Sequence, residues 1–192
     1  MKSSIFSATT LSLLASSAFA GTTATRTSAP QKTAAQVFAA NETSFDVFGT
    51  YLDGKGTDHV GLLRDHGWGG GLGINHFWTE NFGVGFDISG LHGRENPMKS
   101  TDNKTFIQGT GSLIARVPYQ EYNLAPYAYL GGGITGRAGN FASAHGGVGI
   151  EYRLIPNSVG LFTDARWTYY GDANGHGDIN NFQARAGVRF AF

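Results

Sequence analysis

Residues 144–170, "AHGGVGIEYRLIPNSVGLFTDARWTYY", contain two alternating runs joined by the short connection Ile155-Pro156-Asn157. In the first run Ala144, Val148, Ile150, Tyr152 and Leu154 share one side, and His145, Glu151 and Arg153 the other. In the second, Val159, Leu161, Ala165, Trp167 and Tyr169 oppose Asp164, Arg166 and Thr168. Period two is the signature of a strand with two chemically different faces, and two such runs around a tight turn make an antiparallel hairpin. The polar face carries arginine and carboxylate but no lysine. A solvated sheet face mixes Lys and Glu freely. Arginine matched by carboxylates suits a confined space, where the planar guanidinium forms bidentate, fully hydrogen-bonded pairs. The hairpin therefore predicts charges inside and apolar side chains outside.

The alternation recurs from Ser44 to the last residue. "SFDVFGTYL", "WGGGLGINHF", "FGVGFDISGLH", "FIQGTGSLIARV", "LAPYAYLGGGI" and the terminal "FQARAGVRFAF" bring the count of runs to eight. Their connections alternate in length: "WTEN", "PYQEYN" and "IPN" are short, while the segments at about 53–66, 93–104, 135–142 and 171–180 are longer. An up-and-down meander with tight turns at one end and long loops at the other produces this rhythm. No helix-period segment interrupts it, which excludes a parallel sheet built on crossovers. The expected fold is all-β: a closed antiparallel up-and-down eight-stranded transmembrane β-barrel over residues 44–192. The last run pairs with the first, around Phe45–Tyr51, so that no edge remains.

Nine charged residues fall on the polar faces of these runs: Asp46, Asp87, Arg116, Glu151, Arg153, Asp164, Arg166, Arg185 and Arg189. They are the expected lumen network. All five lysines, Lys2, Lys32, Lys55, Lys99 and Lys104, fall outside the runs. Small residues on the polar face, among them Gly71, Gly73, Gly83, Gly85, Gly147 and Gly149, would leave room for the arginines. Phe48, Leu91, Phe106, Ile114 and Phe162 break the pattern by facing inward. On the apolar face aromatic residues gather towards strand ends: Tyr51, Trp68, Trp167 and Tyr169 near the long loops, and Phe45, Phe82, Tyr152, Phe190 and Phe192 near the short turns. Two such belts around an aliphatic middle fit a lipid slab about 25 Å tall.

Composition agrees with a curved, closely packed sheet. The chain of 192 residues has 29 glycines, 13% aromatics and no cysteine, which excludes disulfides and thiol chemistry. Formal net charge is +0, so no field attracts nucleic acid. Residues 1–20 combine Lys2, a weakly apolar stretch and Ala18-Phe19-Ala20, the pattern of a secretory signal peptide cleaved after Ala20. Residues 21–43, rich in Thr and Ala, are expected to be a flexible lead-in with a short helical piece around Lys32–Ala40.

"PYAYLGGG" (126–133), "GVGIEYRL" (147–154) and the terminal "GVRFAF" make the chain resemble the small eight-stranded bacterial outer-membrane β-barrels, a family that includes the barrel domain of OmpA, OmpX and the opacity proteins. The resemblance spans residues 44–192. It implies location in the outer membrane, contact with its lipid and lipopolysaccharide, and a monomeric barrel with a plugged polar lumen that acts in envelope integrity or in surface binding or adhesion through its extracellular loops, with a ligand not named by the sequence. It also implies that Phe190 and Phe192 form the C-terminal signal read by the outer-membrane insertion machinery. A peptidoglycan-binding domain, common in the OmpA type, is not expected after the barrel.

Other chemistries have weaker patterns. Asp172, Asn174, His176 and Asp178 have calcium-like spacing but lack the distal glutamate of an EF-hand loop. His59, Asp65 and His66 fall in a hydrophilic loop. No metal or cofactor is expected. A lipid-modifying acyl hydrolase would need serine, histidine and an acid together, and Ser89, His92 and His76 are the available residues. A soluble lipocalin-like carrier would reverse the polarity, apolar side in.

Overall fold

The computed structural model describes residues 36–53, 66–94, 103–136, 140–170 and 179–192. Eight strands follow in chain order: β1 (Glu42–Asp53), β2 (His66–Phe77), β3 (Phe82–Arg94), β4 (Asn103–Arg116), β5 (Leu124–Gly136), β6 (Asn140–Ile155), β7 (Val159–Tyr170) and β8 (Ile179–Ala191). Each pairs antiparallel with its neighbours, and β8 pairs with β1, so the sheet closes as a barrel in sequence order. Phe45 lies opposite Phe190 and Tyr51 opposite Ala184 across this seam. Beyond the strand ends, Thr43 and Phe192 exchange both backbone hydrogen bonds, at 3.1 and 2.9 Å. Closure satisfies the edge groups that an open sheet would leave unpaired in lipid.

The short turns cluster at one end of the barrel with both chain termini of the sheet. Asparagine supports the chain reversals there: Asn41, Asn123 and Asn157 have φ of 56°, 55° and 54°. Asparagine tolerates this left-handed region better than other residues with a side chain, and each one stands just before a strand. The only helical turn among the described residues is a 3-10 turn at Gln120–Tyr122, between β4 and β5. No described helix is long and apolar enough to cross a membrane.

Outward positions carry Leu72, Ile74, Phe86, Ile88, Leu113, Leu130, Val148 and Leu161, all exposed, while the five arginines of the network are buried. This polarity is that of a transmembrane barrel and overturns the lipocalin-like alternative, whose apolar face would line the lumen.

Several boundaries differ from the sequence expectation. Every strand except β7 runs further into the long connections, because alternation in segments such as "NKTF" and "NFAS" is too short to register. Lys104 accordingly lies within β4. The lead-in does not extend to residue 43: β1 starts at Glu42, and Val37 and Phe38 are buried against Ala125. Residues 36–41 form bends and a turn rather than helix. The expected signal peptide and the rest of the lead-in lie outside the described residues.

Candidate functional site

Inside the barrel the ionic side chains form two connected groups. Nearer the short turns, Arg116 Nη1 and Arg153 Nη2 both donate to Glu42 Oε1, at 2.8 and 2.7 Å. Arg153 Nε donates to Glu151 Oε1 at 2.5 Å, and Arg189 Nη1 to Glu151 Oε2 at 2.6 Å. Arg189 closes the group with a bidentate pair across the β1–β8 seam, Nε and Nη2 donating to the two oxygens of Asp46 at 2.8 and 2.7 Å. The second group lies one layer further along. Arg185 grips Asp164 bidentately at 2.8 and 2.9 Å, reaches Asp87 at 3.3 Å, and Arg166 donates to Asp87 at 2.8 Å.

Each of the nine expected network residues is in one of these groups. The residue that sequence reading misses is Glu42, which turns five guanidiniums against four carboxylates into five against five. It continues the inward series Asp46, Ser44 by one more step of two, so the alternation itself contains the signal. Buried ions need partners of opposite sign, and the unmatched fifth arginine is the second clue.

Several inward aromatic residues share a role. Phe48 and Phe162 present their rings to Arg185 and Arg189, each with the guanidinium carbon 5.0 Å from the ring centroid. Phe77 does the same for Arg116 at 3.7 Å. Desolvated guanidiniums over aromatic faces gain electrostatic attraction that water no longer supplies. Leu91 and Phe106 instead pack with Leu52 as an apolar cluster in the half of the lumen nearer the long connections. Ile114 joins Phe77, Tyr127 and Tyr129.

Several inward glycines make room for aromatic rings, not for arginine as expected: Gly71 for Phe48, Gly83 for Phe77, and Gly147 and Gly149 for tyrosine. A Cβ on Gly149 would lie 2.5 Å from Tyr127 Cζ, and one on Gly147 2.5 Å from Tyr129 Cζ. The two rings therefore lie across β6, and both hydroxyls donate to Asp164, at 3.0 and 2.9 Å. Asp164 thus accepts four hydrogen bonds, enough to hold a carboxylate without water. The residual space between the two groups is a cavity of about 20 Å³ bordered by Asp46, Asn75, Asp87 and Ser112. That is room for about one water molecule.

Outside, Phe45, Trp68, Phe82, Tyr152, Trp167, Tyr169 and Phe190 are exposed, and Tyr51 packs edge-on against Trp68 with centroids 4.8 Å apart. Trp78, Tyr119 and Tyr122 add exposed rings near the short turns, and Phe182 adds one towards the other end. Phe192, at the end of the seam, is 74% exposed.

The structure does not assemble the acyl-hydrolase candidates. Ser89 is buried in the lumen, whereas His92 and His76 point outward. His92 pairs with Thr105 at 3.1 Å and His76 with Thr43 at 3.0 Å. His145 is likewise not bonded to Glu151 or to an arginine; its Nε2 faces Ser112 Oγ at 2.8 Å. His66 is the first residue of β2 rather than part of a loop. His59 and Asp65, and the Asp172–Asp178 loop, lie outside the described residues, as does most of each long connection.

The profile of the outer membrane protein beta-barrel domain family matches residues 6–190. No curated protein matches the chain in sequence. Among solved structures, the chain is similar to Ail, the attachment invasion locus protein of Yersinia pestis, at 15% identity over 80% of this chain and 99% of that one, with a TM-score of 0.53. It is similar to neisserial surface protein A, at 16% identity over 79% and 96%, TM-score 0.55. It is also similar to OprG of Pseudomonas aeruginosa, at 11% identity over 82% and 98%, TM-score 0.57. At these identities the likeness concerns the fold.

Proposed function

The chain belongs to the outer membrane protein β-barrel domain family, and from that premise we propose that it is a monomeric surface protein whose extracellular loops bind a ligand or a host surface, with its lumen closed to general diffusion. The observation that carries this reading is the ionic packing of the lumen: among the described residues, five arginines and five carboxylates pair in two layers. A porin of this fold class keeps a water-filled channel through wider barrels. Here the space between the layers holds about one water. With the lumen filled and the outer wall apolar, the long connections are the surfaces left for recognition.

The neighbour from Yersinia is named for attachment and invasion, and that from Neisseria as a surface protein. Adhesion is accordingly the first role to test for this chain, with envelope integrity beside it. Export proceeds through cleavage after Ala20. The exposed aromatic rings at the two ends of the wall rest at the lipid and lipopolysaccharide interfaces. Phe190 and Phe192, at the end of the closing strand, are the contact for the insertion machinery.

The test is fractionation followed by surface labelling. The mature protein should resist carbonate extraction, change gel mobility on heating, and label at Lys55, Lys99 and Lys104 in intact cells. Replacing the loops one at a time by short Gly-Ser turns should leave heat-modifiable folding intact while abolishing attachment to cells or matrix. Full attachment by a barrel lacking all four loops would overturn the reading. A lipid-modifying activity is tested on the same preparation with detergent-solubilised phospholipid and lipid A.

A further inference from the structure

Residues 36–41 precede the barrel, yet they are held at its short-turn mouth by a set of specific contacts. The side chain of Gln120, in the 3-10 turn, is committed to them at both ends. Its Oε1 accepts from the backbone N–H groups of Val37 and Phe38, at 2.9 and 3.1 Å, and its Nε2 donates to Phe38 O at 3.0 Å. Arg116 Nη2 donates to Ala39 O at 3.2 Å, and Gln36 bonds Glu80 in the β2–β3 turn. Phe38 has no exposed surface. Both neighbouring guanidiniums lie close to its ring, with Arg116 Cζ at 5.1 Å and Arg153 Cζ at 5.0 Å from the centroid.

These two arginines are the same pair that Glu42 bridges. Arg116 and Arg153 therefore share both a carboxylate from β1 and a ring from the segment just before it. A loose terminal segment has no reason to place a phenylalanine beneath two charges, or to satisfy its backbone through one amide side chain. Chain termini are generally poorly ordered unless tied down. This one is tied across the mouth by β4, the β4–β5 turn and the β2–β3 turn.

We propose that residues 36–41 are a cork that seals the short-turn mouth of the lumen, with Phe38 as its anchor and Gln120 as its clamp. The seal rests on the first ionic layer through Arg116 and Arg153. The cork closes one end of the lumen, and the ion pairs fill the layers beyond.

The chain contains no cysteine, so one thiol can report on the space just behind the cork. Ser44 faces inward, has no exposed surface, and receives a hydrogen bond from Asn75 at 3.3 Å. In the full mature chain refolded in detergent, Ser44→Cys should react slowly with a small water-soluble methanethiosulfonate. Adding Phe38→Ala or Gln120→Ala should raise that rate by about tenfold or more, the effect expected when a local opening becomes easier without global unfolding. Heat-modifiable mobility, measured on the same samples, separates opening from unfolding. Gln120→Ala serves if Phe38→Ala does not fold, because the clamp touches none of the lumen ions. Equal rates in all three proteins, whether fast or slow, would overturn the seal.

Discussion

The two halves of the lumen solve the same problem differently. In the half nearer the short turns every carboxylate of the network has an arginine partner, and the guanidiniums rest on aromatic rings. In the half nearer the long connections the inward residues are mostly neutral. Gln108 donates to Tyr170 at 3.2 Å and accepts from Gln183 at 3.4 Å, next to the Leu52–Leu91–Phe106 cluster. Thr50 and Thr168 are buried there with hydroxyl oxygens that have no hydrogen-bond partner. A desolvated ion without its counter-ion costs several kcal/mol, whereas an unpaired hydroxyl costs much less. Every ion of an ionic layer must therefore meet a counter-ion, even where a single donor such as Arg153 Nη1 has no hydrogen-bond partner, while a neutral layer tolerates unpaired hydroxyls. The charged half specifies the register of the barrel, and the neutral half fills it.

The sharpest way to break this contrast is Arg189→Ala. It leaves Asp46 and Glu151 short of a partner and removes the bidentate pair across the seam. The expected cost is about 3–5 kcal/mol, seen as loss of the heat-resistant folded band and a lower urea midpoint in detergent. Arg185→Ala should behave alike through Asp164 and Asp87. Unchanged folding in both variants would refute the idea that the ionic layers hold the barrel together. A companion variant, Asp46→Leu with Arg189→Met, removes the seam pair as a unit. It should cost less than Arg189→Ala alone, because no charge is stranded on Asp46. Glu151 retains Arg153 as a partner in that variant.

A second, smaller effect concerns the glycines. Gly149→Val places new atoms against the Tyr127 ring and the Asp164 side chain. Overpacking of this kind costs about 1–3 kcal/mol, and the same urea titration measures it. Gly90→Val is the control, since a Cβ there meets nothing within 4 Å; it should leave the midpoint nearly unchanged. Equal losses at the two sites would mean that strand propensity, not tyrosine packing, explains the glycine at 149.

The same residues mark how far the barrel is legible in its amino-acid sequence. Alternation alone places Asp164 and Arg166 inside and Trp167 outside, because one buried face and one lipid face impose opposite chemistry on successive residues. It does not reveal which arginine meets which carboxylate, since partners such as Asp46 and Arg189 come from opposite ends of the chain and meet only when the seam closes. Glu42 escapes the pattern because apolar alternation starts only after Ser44, and a strand can enter the barrel on polar residues alone. Phe38 escapes it for a different reason. It belongs to no periodic element, and its position depends on Gln120, far away in sequence. The glycines signal vacant space, yet the rings that fill it, such as Phe48 at Gly71 and Tyr127 at Gly149, lie on a neighbouring strand.

The mildest prediction tests the neutral half directly. Thr168 has no exposed surface, and its hydroxyl has no partner. Valine has nearly the same shape. Replacing an unsatisfied hydroxyl by a methyl group removes a desolvation penalty and loses no bond, so Thr168→Val should be neutral or stabilise by up to about 1 kcal/mol. A raised or unchanged urea midpoint is the expected outcome. If the midpoint falls instead, by about 1 kcal/mol or more, the hydroxyl is satisfied in the folded barrel. The neutral half would then lose its gaps, while the charged half keeps one buried donor, Arg153 Nη1, without a partner. The neutral half's tolerance of gaps would disappear as the distinction between the halves, leaving only the strength of the bonds that each contains.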